Sequence, residues 1–171
     1  MTRRGFTIVE LIITVTIMGI LLTLAVVNVG STQANARDEE RKADIEAIGN
    51  ALDRYYKTGN GTSSILNTYP AAEAIPSEAA LQSFLQDIDL KSFRAPGITN
   101  ATQSFIVATN AVQTTAGVTP QPTKDQYVYQ PITTNGTLCP AGFTSCRKYN
   151  LYYRLESNNG SIVYKAMSKN Q

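Results

Sequence analysis

The sequence predicts an α+β fold: a long N-terminal α-helix, half membrane-type and half amphipathic, packed on a C-terminal antiparallel β-sheet of three to four strands. Three observations predict it. Residues 6–29 form an apolar run that no proline interrupts. Residues 34–56 turn polar but keep apolar side chains at helical spacing. The last third alternates as strands do and carries an Asn158-Asn159-Gly160 turn signal. The chain divides accordingly into a short basic leader at 1–5, a membrane helix at 6–29, an amphipathic helix at 30–58 and a globular head at 59–171.

The 24 residues at 6–29 hold one ionisable side chain, Glu10. At about 1.5 Å per residue such a helix covers roughly 36 Å, enough for a tilted bilayer span. The preceding Met1-Thr2-Arg3-Arg4-Gly5 is too short for a secretory n-region, and no small-x-small cleavage site follows the apolar run. The hydrophobic segment is therefore retained. Arg3 and Arg4 flank one end and Arg37, Arg41 and Lys42 the other, so charge counting leaves the orientation open. Glu10 is costly in hydrocarbon and calls for a partner or a function. A position near a helix N-terminus also eases it, because the helix dipole favours negative charge there.

Beyond Gly30 the helix continues with Ile45, Ile48, Leu52, Tyr55 and Tyr56 on one stripe, which should lie under the head. Asp38 and Lys42 are four apart in the favourable order. The cluster Arg37-Asp38-Glu39-Glu40-Arg41-Lys42 reads either as a solvated face or as salt bridges between subunits. Gly59-Asn60-Gly61 ends the helix with residues that readily take left-handed angles.

In the head, Pro70 and Pro76 bound a loop, and Ser77 is a candidate N-cap for a short helix to Gln86 with Leu81, Phe84 and Leu85 turned inward. A strand is expected at 104–109 and a second at 127–132. The intervening 112–123, rich in Thr, Pro, Gln and Gly, reads as a surface loop. In the next strand Tyr149, Leu151, Tyr153 and Leu155 share one face, opposite Asn150, Tyr152, Arg154 and Glu156. A tight hairpin at 158–160 then returns the chain along 162–167. Six of the nine tyrosines lie at or beyond Tyr127 and should serve sheet packing.

Composition removes several function classes. There is no His and no Trp, so the commonest general base and metal ligand are missing. Neither paired carboxylates near a nucleophile nor a phosphate-binding loop is present, which argues against a membrane-anchored enzyme and gives no catalytic residue, metal ligand or cofactor. Only Asp125 lies beyond Asp89, so no clustered-Asp calcium loop is expected. The formal charge is +2, from 15 basic and 13 acidic residues; without Arg3 and Arg4 it is 13 against 13. A neutral chain suits self-packing better than nucleic acid, although 145–171 carries five basic residues against Glu156. Asn-x-Ser/Thr at Asn60, Asn100, Asn135 and Asn159 gives weak glycosylation hints. Six residues separate Cys139 from Cys146, with no further thiol or His for a zinc site. The pair reads as a small disulfide loop in an oxidising location, with two reduced thiols near a turn as the alternative. A disulfide there places the head outside the cytoplasm and the N-terminus within it.

Arg3-Arg4-Gly5-Phe6-Thr7-Ile8-Val9-Glu10-Leu11-Ile12, running into the apolar helix, resembles the processing motif of type IV pilins and type II secretion pseudopilins. The likeness covers about 30 residues directly, and about 55 with the amphipathic helix. It implies cleavage after Gly5 by a prepilin peptidase, N-methylation of Phe6, and use of Glu10 to recruit each new subunit. Residues 6–29 would become the core of a homo-oligomeric helical filament, built by an assembly platform and motor ATPase. The implied head is the pilin "lollipop" fold. The subunit would cross the inner membrane once and later join a cell-surface filament. Many pilins carry a proline in this helix; this chain has none before Pro70, so a straighter, more continuous helix is expected.

The chemistry is coherent without the likeness. Cutting after Gly5 removes two guanidinium charges and creates an α-amine on Phe6, largely protonated near neutral pH. Methylation keeps that charge. Glu10 of an adjoining copy can supply the counter-charge, so two groups costly in lipid favour association once paired. The expected function is a pilus subunit serving adhesion, motility or DNA uptake, with a secretion or competence pseudopilin as the alternative.

Overall fold

The computed structural model describes residues 5–59, 66–72, 75, 78–99, 104–139 and 146–170. Contacts divide the chain into two units, 1–36 and 37–171. Helix α1 spans Ile8–Thr58 and is helical through Gly19 and Gly30. In the first unit, the described side chains of residues 8–25 are all exposed. Thr14, Thr16 and Thr23 donate their hydroxyls to the carbonyls of Leu11, Ile12 and Ile20, so these polar groups are satisfied within the helix.

In the second unit α1 buries Ile45, Ile48, Leu52 and Tyr55, the stripe its 3.6-residue period predicts. The helix stops where Gly59 takes a left-handed backbone and donates its N–H to the Tyr55 carbonyl at 2.7 Å. Asn60 and Gly61 lie outside the described residues. Helix α2 is Glu78–Phe84, two residues shorter than expected, and Ser77 lies outside the described residues. A 3₁₀ turn at Leu90–Phe93 follows, capped by Asp89, whose carboxylate accepts from the Lys91 N–H.

The sheet has four strands in the order β1 (Phe105–Val107), β2 (Tyr127–Thr133), β3 (Cys146–Arg154) and β4 (Val163–Met167). β2, β3 and β4 are antiparallel neighbours, as expected, but β1 runs parallel to β2. The sheet is therefore mixed. A parallel pair needs a long crossover, and residues 108–126 supply it. This crossover contains 112–123, whose composition reads as a surface loop. It does lack regular structure, yet it lies over the face of the sheet that α1 leaves free. Val118 and Ala108 pack there on Val128 and Tyr152. Gln130, wholly buried, holds the cover down by donating to the carbonyls of Asn110 and Val112 and accepting from Asn150 and Tyr152.

The α1-facing side buries Tyr127, Tyr129, Tyr149 and Leu151. Aromatic contacts link Tyr69, Tyr149, Tyr129, Phe105 and Phe93 across it, with centroids 4.8–6.1 Å apart. Pro131 interrupts no ladder: its main chain faces the side where β1 has already ended at Val107, and its carbonyl accepts from Cys139 N–H instead. The β3–β4 connection is wider than the tight hairpin expected. A 3₁₀ turn at Ser157–Gly160 lies between the Arg154–Val163 pair, and Leu155 is buried beneath it.

Candidate assembly site

Gly5 and Phe6 are exposed and non-helical, immediately ahead of α1, and Phe6 is 82% accessible. Arg3 and Arg4 lie outside the described residues. Thr7 is the cap. Its carbonyl accepts the first helical N–H, from Leu11, and its hydroxyl accepts the Glu10 N–H at 3.2 Å. Glu10 Oε2 reaches back to accept from the Thr7 N–H at 3.1 Å and the Thr7 hydroxyl at 2.9 Å. This is a reciprocal capping box. Its Ser/Thr-x-x-Glu signature stands in the sequence as Thr7-Ile8-Val9-Glu10, and a reading centred on Glu10 alone overlooks Thr7. In the isolated chain Glu10 is thus satisfied locally, and it remains exposed. α1 is long and apolar enough to cross a membrane by length and composition.

The cluster at 37–42 divides: Glu39 and Lys42 stay on an exposed face, as a solvated reading expects, while Asp38 and Arg41 turn into the fold. Arg41 is wholly buried and Asp38 nearly so. Arg41 donates Nε to the Lys124 carbonyl at 2.8 Å, Nη1 to Asp38 at 3.0 Å and Nη2 to Glu156 at 2.7 Å. Arg37 forks onto the same Glu156 carboxylate at 2.9 and 2.5 Å. Asp38 accepts the backbone N–H groups of Glu156 and Ser157 at 2.7 and 2.8 Å, capping the 3₁₀ turn from across the fold. The Arg37 hydrogen bond, helped by Arg41 against the cost of burial, pulls Glu156 down to about 2. Burial would raise Asp38, but its two backbone N–H donors and Arg41 outweigh that and hold it below the ordinary range. Lys42 pairs with Glu39 at 2.7 Å rather than with Asp38.

One turn further along α1, Asp44 is buried and accepts from the Tyr127 hydroxyl at 2.8 Å. Desolvation pushes Asp44 up to about 6 despite that bond. Cys139 and Cys146 form the disulfide, and both are wholly buried in the α1-facing core. Main-chain bonds from Tyr69 N–H to the Cys146 carbonyl and from Ala72 N–H to the Cys139 carbonyl lay residues 69–72 alongside it.

The family described as "Prokaryotic N-terminal methylation motif" matches residues 1–26. "Type II secretion system core protein G" of Klebsiella michiganensis is 30% identical over 96 residues, covering 50% of this chain and 68% of its own. The protein of the same name from Pseudomonas aeruginosa is 45% identical over 53 residues, 31% of this chain and 37% of its own. "Type IV major pilin protein PilA" of Myxococcus xanthus is 34% identical over 65 residues, 38% of this chain and 30% of its own. The chain thus spans well under half of the last two relatives. No solved structure matches. With the capped apolar helix, the packed α+β head and the disulfide, these similarities establish that the chain belongs to the type IV pilin and type II secretion pseudopilin family.

Proposed function

We propose that this chain is the structural subunit of a type IV pilus filament. It inserts in the inner membrane as a prepilin, with residues 1–5 on the cytoplasmic side. A prepilin peptidase cuts after Gly5 and methylates Phe6. An assembly platform and motor ATPase then stack the helices, and the Phe6 ammonium of one copy pairs with Glu10 of another. The observation that carries this reading is the accessible apolar surface of residues 8–25, interrupted by the single carboxylate of Glu10. Such a surface requires lipid before assembly and other copies of itself afterwards. Pairing with an incoming ammonium would draw Glu10 from the Thr7 capping box, exchanging a local bond for a charge-assisted one. The reading assigns no catalytic residue and no cofactor.

Intact mass and N-terminal sequencing of sheared surface filaments test it. The expected subunit begins at methylated Phe6; one retaining Arg3 and Arg4 overturns the reading. Glu10→Val should stay membrane-inserted and lose efficient assembly, so normal filament yield from that variant also counts against it.

A second reading is favoured by the relatives, several of which bear the name type II secretion system core protein G. The chain would then build a short periplasmic rod. Deleting it separates the two: loss of surface filaments supports the pilus, and loss of exoprotein secretion with filaments intact supports the pseudopilus.

A further inference from the structure

A cleft of about 600 Å³ opens between the end of the crossover and the end of β3, lined by Gln121, Thr123, Lys124, Arg154, Glu156 and Gly160. Both walls are held by one turn of α1. Arg41 grips the Lys124 carbonyl on one side, and Asp38 grips the Glu156 and Ser157 N–H groups on the other. A cleft whose walls are fixed in advance loses little conformational entropy on binding.

The charges along it are unevenly balanced. Lys124 is paired with Asp125 at 2.8 Å, and Glu156 is neutralised by Arg37 and Arg41. Arg154 makes no ion pair among the described residues. Its Nη1 donates to the Gly160 carbonyl at 2.6 Å, its Nη2 reaches Gln121 Oε1 only at 3.4 Å, and its Nε is buried without a partner. Arg154 therefore joins the two walls and brings one uncompensated positive charge to the cleft. A guanidinium has five N–H donors, and most of these are unused. The volume far exceeds a lone oxyanion and suits a molecule of one or two sugar rings. The Gly160 carbonyl and Gln121 Oε1 each keep a lone pair for a sugar hydroxyl.

We propose that this cleft binds an acidic saccharide, a uronic-acid unit whose single carboxylate pairs with Arg154. A singly charged group fits better than a phosphate, because only one cation of the lining lacks a carboxylate partner and Glu156 stands at the rim. Forked guanidinium–carboxylate geometry would replace the long contact to Gln121. The site would recognise a charged polysaccharide outside the cell, and it does not depend on how the subunit polymerises.

The full chain in detergent micelles, titrated by calorimetry with digalacturonate, neutral digalactose and inorganic phosphate, tests the proposal. Digalacturonate should bind saturably, with digalactose and phosphate each at least tenfold weaker. Arg154→Met should weaken digalacturonate at least tenfold, and Arg154→Lys should recover part of the loss. Lys124→Glu changes an exposed side chain while leaving the carbonyl that Arg41 holds, so the fold persists; it too should lose at least tenfold. Absence of saturable binding, phosphate binding as tight as digalacturonate, or unchanged affinity in Lys124→Glu would each overturn the proposal. Because the readout uses unassembled protein, its failure leaves the filament reading untouched.

Discussion

Arg41 on α1 and Glu156 after β3 meet at 2.7 Å although 115 positions separate them, and the guanidinium is wholly buried. The contact joins the helix to the far end of the sheet at a point where apolar packing gives way to charge. Each partner is satisfied several times over, which is what makes a buried charge tolerable.

Removing both partners should cost less than the two single losses added together. Arg41→Met leaves the Glu156 and Asp38 carboxylates short of their buried cation, and a loss of about 3–5 kcal/mol is expected. Denaturant unfolding of the full chain in micelles measures it. Arg41→Met combined with Glu156→Gln should be less destabilising than the sum of the single changes.

Two carboxylates set opposing pH dependences. Glu156 is depressed to about 2 when folded, so its stabilisation is full above its unfolded value near 4.5 and disappears as pH falls towards 2. Asp44 is raised to about 6, so the folded state holds its proton more tightly and stability declines as pH rises from near 3.8 to about 6. These groups together place a stability maximum near pH 4 to 5. Asp44→Asn should remove the decline above it, which unfolding midpoints at pH 4.5 and 7 would show.

The disulfide should resist reductant while the head is folded, because both sulfurs are shielded from solvent. Dithiothreitol alone should leave it intact, and dithiothreitol with denaturant should release two thiols to alkylation, read by mass. Replacing both cysteines by serine should cost about 2 kcal/mol from loop entropy, since the closed loop is short.

Gln130→Leu keeps the volume but leaves the Asn110 and Val112 carbonyls without their donor and Asn150 and Tyr152 without their acceptor. The expected loss is about 4 kcal/mol, at roughly 1 kcal/mol for each of the four stranded groups. Amide exchange should accelerate first at Thr109 and Val118, whose N–H groups bond within the cover, while β2–β3 amides stay protected.

Both ends of the chain were legible without coordinates. The apolar run at 6–29 is continuous, the stripe of Ile45, Ile48, Leu52 and Tyr55 repeats with the helical period, and β3 alternates with the strand period. Local geometry imposes those periods, so sequence carries them. The Thr7 cap was equally readable, being a four-residue pattern.

Tertiary structure alone decided the rest. Nothing local makes β1 parallel, sends 108–126 over the sheet, or turns Asp38 and Arg41 of the charged cluster inward. Val118 stands in a loop rich in Thr, Pro, Gln and Gly, and only Val128 and Tyr152 beneath it make it a core residue. Arg41 and Asp38 read as surface charge until the far end of β3 supplies Glu156 and two backbone donors. Burial of a polar group depends on which distant partners arrive to satisfy it, and that information lies in the folded arrangement rather than in any stretch of chain.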